Sequence, residues 1–186
     1  MEGPIQNTSA ETNSEPSAEQ LKEWKDKTNL LLADNDKIKE ETKLKNEFIQ
    51  ALEKKSLGGQ TSTRRKYESK FGPISSMDAN DLKSEIEKSN EKAVENNIEL
   101  LPILTARRQS GEKGLDKEIK KASKIVYERQ LQLAGLREQA LNQVADMTSN
   151  PEHVAGDNTQ IKEKTKYAEE LAKQIETMEK LLIASR

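Results

Sequence analysis

Cysteine is absent from the 186 residues. That removes disulfides, thiolate metal sites and thiol nucleophiles at once. A single histidine, His153, leaves no histidine pair to hold a metal. Aromatic residues make up 3% of the chain, and hydrophobic residues counted generously, alanine included, reach 32%. Burial stabilises by about 25 cal/mol per Å² of apolar surface, so this supply cannot fill a thick multilayered core. No run approaches the roughly 20 apolar residues of a membrane span, and the polar, acidic N-terminus is unlike a signal or transit peptide. The 31 basic and 33 acidic residues leave a net charge of −2, too little to attract nucleic acid or anionic lipid by a global field. Phosphate-cradling glycine motifs are missing, and paired carboxylates such as Glu40-Glu41 lie on solvated helix faces. Together these absences argue against an enzyme and imply no cofactor, no metal and no small-molecule ligand.

What the chain does have is heptad spacing. Leu21, Trp24, Thr28, Leu31, Asn35, Ile38, Thr42, Lys45, Ile49 and Leu52 alternate three and four apart, which puts them on one stripe of a helix. The same alternation recurs over Leu115–Met147, with Leu133 and Leu136, and over Ile161–Leu182, with Leu171, Ile175, Met178 and Leu182. A weaker register, Leu82–Leu100, lies between them. A coiled-coil seam needs two apolar positions in seven, which this composition can supply.

The expected fold is all-α: about four extended coiled-coil helices, with the last two able to fold back as a hairpin, preceded by a disordered tail. Residues 1–16 read as that acidic tail and 17–57 as a long helix capped by Ser17 and stopped at Gly58-Gly59. Residues 58–77 read as a Gly/basic linker and 78–101 as a second helix ended by Pro102. Residues 102–114 read as a basic linker, 115–149 as the third helix, 150–157 as a turn and 158–186 as the fourth helix.

The candidate partner-binding seam is Leu21, Trp24, Leu31, Asn35, Ile38, Ile49 and Leu52, with Leu133, Leu136, Leu171, Ile175, Met178 and Leu182. Asn35 at a core position is expected to trade stability for choice of alignment. Leu30, Leu32, Leu44 and Phe48 lie off the stripe, so the first helix is expected to meet more than one neighbour. Two basic clusters are candidate phosphate contacts: Arg64, Arg65 and Lys66, and Lys117, Lys120, Lys121 and Lys124. Ser110, after Arg107-Arg108, is a candidate phosphorylation site.

The layout resembles small coiled-coil subunits of kinetochore, transcription-regulatory or tethering assemblies, a likeness of architecture that carries no residue motif. The functional expectation is a non-enzymatic assembly subunit that zips with helices of partner proteins. It would work inside the cell, with the nucleus favoured. The alternative is a nucleic-acid-associated helical protein using basic clusters 64–70 and 107–124.

Overall fold

The computed structural model describes residues 16–149 and 158–186. Among them are five helices and no strand: α1 (Ala18–Glu53), α2 (Leu57–Phe71), α3 (Ala79–Gln109), α4 (Asp116–Ser149) and α5 (Asn158–Ala184). The tail expected before residue 16 and the turn expected at 150–157 lie outside the described residues.

Local chemistry sets the helix ends. Ser17 and Gln20 form a reciprocal capping box: the Ser17 hydroxyl accepts the Gln20 N–H at 3.2 Å, and the Gln20 carbonyl oxygen accepts the Ser17 N–H at 2.9 Å. Asp78 caps α3 by accepting the Asn80 and Asp81 N–H groups at 2.7 and 3.2 Å. The α3 C-terminus closes as a Schellman turn, with Glu112 N–H on the Arg107 carbonyl and Gly111 N–H on that of Arg108. Gly111 takes φ +90° there, which a residue without Cβ adopts freely.

Two expected boundaries are corrected. The stretch 58–77 is not a linker, because Leu57–Phe71 is helical and Gly58-Gly59 sit in its first turn. The α1 stop comes earlier, in a second Schellman turn whose left-handed position is held by Lys55 at φ 52°. That conformation costs a non-glycine residue about 1 kcal/mol. Ser56 then starts α2 by accepting the Gly59 N–H at 3.2 Å, so the glycines lie beside a cap, where helix propensity matters least. Pro102 does not end α3 either; the helix runs on to Gln109. Its ring is exposed while Leu100, Leu101 and Leu104 around it are at most 1% exposed. Burying three leucines at about 2 kcal/mol each outweighs the roughly 3 kcal/mol an interior proline costs.

Both α2 and α3 run antiparallel to α1, so the segment between Phe71 and Ala79 carries the chain back along α1 before α3 begins. α2 returns along α1, placing Tyr67 on Glu41 and Gln60 on the Ala51 carbonyl. α3 runs antiparallel to α1, so Lys27 meets Glu99, Asp34 meets Lys92 and Lys45 meets Glu85. α5 lies antiparallel along α4, pairing Lys164 with Gln143 and Ser185 with Ser123. The extended rods expected from the heptads are thus covered within the chain. An apolar stripe gains as much against a neighbouring segment as against another molecule, without the entropic cost of association.

α3 is shared by both ends of the molecule. Near its start it buries Leu82 and Ile86, which cluster with Phe48 and Ile49 of α1. From Asn96 to Arg107 it buries seven residues spread over about half its circumference. There it is sandwiched: Leu31 of α1 joins Leu100, Leu101 and Leu104, and these join Ile119, Ala122 and Val126 of α4 and Met178 of α5. Among the described residues, no helix is long and apolar enough to cross a membrane.

Candidate functional site

The α1 stripe faces its own chain. Leu31, Ile38 and Ile49 are buried and Leu21, Trp24, Asn35 and Leu52 half-buried. The off-stripe residues divide: Leu44 and Phe48 are buried, Leu32 packs on the central cluster, and Leu30 remains 71% exposed.

Most polar groups in this seam find partners at short range, although the buried Thr42 hydroxyl has none among the described residues. Thr28 donates to the Trp24 carbonyl at 2.7 Å, and Asn97 donates to that of Ala93 at 2.6 Å. The Asn96 amide donates to Asn35 at 3.0 Å and to Asp34 at 2.9 Å, tying α3 to α1. Lys45 is 5% exposed, and its ammonium bridges Glu41 at 2.9 Å and Glu85 at 2.8 Å. Tyr67 of α2 donates to the same Glu41 at 2.9 Å, and Ser75 donates to Glu85 at 2.6 Å. One cation therefore locks three helices.

Burial alone would lower the Lys45 pKa, but its hydrogen bonds to Glu85 and Glu41 win and raise it. Burial likewise pushes Glu41 up, and the bonds from Lys45 and Tyr67 bring it below the ordinary carboxylate range. Glu85 is lowered by Lys45 first and Ser75 second. One ammonium shared between two carboxylates thus holds all three groups in their charged forms.

The α4–α5 seam is different. Val126, Leu133, Ala140, Ala168, Leu171 and Met178 are buried, and Ile175 and Leu182 are half-buried. Leu136, expected in the seam, is 40% exposed. Every α4 residue between Leu133 and Ala140 is exposed; a single covering helix masks a narrower arc than two. α4 also carries a second stripe. Tyr127, Leu131, Ala134, Glu138, Leu141 and Ala145 recur four and three apart and are all exposed. At 100° per residue this stripe lies roughly a third of a turn from the Val126–Leu133–Ala140 line. Counting threes and fours from Tyr127, instead of from Ile119, would have found it in the sequence.

The basic clusters are not brought together. Arg64, Arg65 and Lys66 are exposed on α2 beside the later turns of α1, with Arg64 held by Glu68 at 2.7 Å. The second cluster lies at the opposite end of α1, where Lys25 bears on Glu112, roughly 25 Å away along that helix. Within it, Lys120 and Lys124 line an open groove of about 470 Å³ with Arg108 and Arg186, whereas Lys117 and Lys121 do not. Ser110 caps the α3 C-terminus, its hydroxyl donating to the Arg107 carbonyl at 2.8 Å. Arg107 itself is buried and gripped by Glu112 through two bonds of 2.8 and 2.5 Å. Among the described residues no group of three or more acidic, histidine or cysteine side chains is placed to hold a metal ion.

Comparison with protein-family models, curated proteins and solved structures finds no match.

Proposed function

We propose that this chain is a non-enzymatic assembly subunit of a multiprotein complex, acting by coiled-coil-type helix–helix association with partner subunits. Complexes of the kinetochore, transcription-regulatory or tethering type are the class in view. The observation that carries the reading is the exposed stripe Tyr127, Leu131 and Leu141, between 41% and 54% exposed and spaced as a helix-binding seam. The α1 stripe, covered by α3, is no longer the recruiting surface in this proposal. The exposed Arg64-Arg65-Lys66 run supports placing the protein in the nucleus within the same proposal. A nucleic-acid reading draws less support, since its two clusters lie at opposite ends of α1.

The test is proximity crosslinking of the full chain in its native cells, against the double variant Leu131→Asp, Leu141→Asp. Crosslinks from Lys124 and neighbouring α4 lysines to helical segments of a partner are expected, and the double variant should lose them while keeping wild-type helicity. Partners recovered unchanged by the variant would overturn the reading.

A further inference from the structure

We propose that the groove formed where α3 ends, α4 begins and α5 ends docks an acidic amphipathic helix of a partner protein. The proposal rests on the reading of α4 as a recruiting surface and names the chemistry of what is recruited. Ile119, Tyr127 and Leu182 give the groove apolar walls. Its rim carries Arg108, Lys120, Lys124 and Arg186 against one carboxylate, that of Asp116.

Those cations are weakly neutralised within the chain. Lys124 sits 3.8 Å from Glu128 with both side chains more than half exposed, a pair worth little in water. Lys120 has no carboxylate within ion-pair distance among the described residues. Arg108 lies 3.9 Å from Asp116 and is instead positioned by donating to the Ser185 carbonyl at 3.0 Å. That bond fixes a guanidinium at the groove's end, where it can take a carboxylate in its planar fork.

The groove also continues the exposed stripe. Lys120, Lys124, Tyr127 and Leu131 are spaced four, three and four, so one face of α4 is cationic at its start and apolar from Tyr127 to Ala134, with Glu138 lying before Leu141. A small inorganic anion would satisfy the rim and leave Tyr127 and Leu131 uncovered. A helix along α4 satisfies both: its apolar residues cover Tyr127, Leu131 and Leu141, and carboxylates at one end reach Arg108, Lys120 and Lys124. A volume of about 470 Å³ accepts large side chains at that end.

The experiment is fluorescence anisotropy on the full chain. The probe is a designed peptide of about 20 residues, with leucines at alternating three and four spacing and glutamates over one half. Binding is expected, weakened about tenfold or more by the Lys120→Glu, Lys124→Glu pair and several-fold by Tyr127→Ser, with helicity unchanged. It should also weaken steeply with salt, as exposed charge pairs do. The same peptide with lysines for glutamates should bind at least tenfold worse. Equal binding of the two peptides, or no effect of the charge reversal, overturns the proposal. So does a self-association, or binding to phosphatidylserine vesicles, that the charge reversal abolishes while the peptide fails to bind. If the acidic peptide fails while Leu131→Asp, Leu141→Asp still removes partner crosslinks, the groove inference falls and the assembly function stands.

Discussion

Thr28, Asn35 and Lys45 face inward along α1, and Asn96 and Asn97 are buried on α3 opposite. Ala168, Leu171, Ile175 and Met178 face inward along α5, opposite Val126, Leu133 and Ala140 on α4. Both pairs are antiparallel, yet one seam is half polar and the other almost wholly apolar. A buried amide or ammonium tolerates few alignments, since a slip strands it without a partner. An apolar seam gains similar energy in neighbouring registers and depends on other restraints for its alignment. The first seam therefore purchases uniqueness at some cost in stability, while the second gains stability and is steered by α3 and the Arg108–Ser185 bond.

The largest disruption is expected at the residue both regions share. Leu104 is fully buried in α3, in the cluster that joins α1, α4 and α5. Leu104→Asp strands a carboxylate there at about 4–5 kcal/mol, close to the whole stability of a marginal domain. Circular dichroism and hydrogen exchange should show both regions opening together. Loss of protection confined to one of them would mean that α3 is not a common spine.

The next break is confined to the polar seam. Lys45→Met keeps the stem and removes the charge, leaving Glu41 and Glu85 facing each other; the expected cost is about 2–3 kcal/mol, read by urea denaturation. The wild type should show the matching pH dependence. Folded-state pKa values of Glu41 and Glu85 lie below the ordinary 4.5, so their stabilisation is present above that value and lost as pH falls through the lowered ones. Lys45 is raised above 10.5, so its share is present below that value and lost as pH rises through the raised one. Acidification should therefore release α1, α2 and the first half of α3 while the α4–α5 seam holds. A hairpin that exchanges first in acid would reverse the comparison. In Lys45→Met the acid dependence should shrink, because protonation then relieves repulsion instead of breaking pairs.

The heptads of α1, α4 and α5 were legible because a stripe that must be buried is written in spacing alone. What covers the stripe was not, because a helix faces a partner subunit and its own chain through the same residues. Gly58-Gly59 and Pro102 misled for one shared reason: local propensity is a term of about 1–3 kcal/mol, and tertiary burial of Phe48, Tyr67, Leu101 and Leu104 exceeds it. The Lys45 lock was half legible. Lysine at a core position announced an anomaly, but Glu85 and Tyr67 become its neighbours only once α2 and α3 fold back. The groove was least legible, since Arg108 and Lys120 come from two helices and Arg186 lies just past the end of a third.

The smallest expected effect sharpens the comparison on the apolar side. Gly135 lies inside α4, on the exposed stretch between Leu133 and Ala140. A Cβ built there meets nothing within 4 Å, and the residue does not occupy the left-handed region. Glycine costs about 0.5–1 kcal/mol relative to alanine within a helix, because the unfolded chain loses more freedom on folding. Gly135→Ala should therefore raise the stability of the hairpin by about that amount without touching a contact. Hydrogen exchange should show protection rising in α4 and α5 and staying level in α1, since the polar seam is held by contacts this substitution does not alter. If Gly135→Ala destabilises instead, that face of α4 is not the open helix surface on which the comparison with α1 rests.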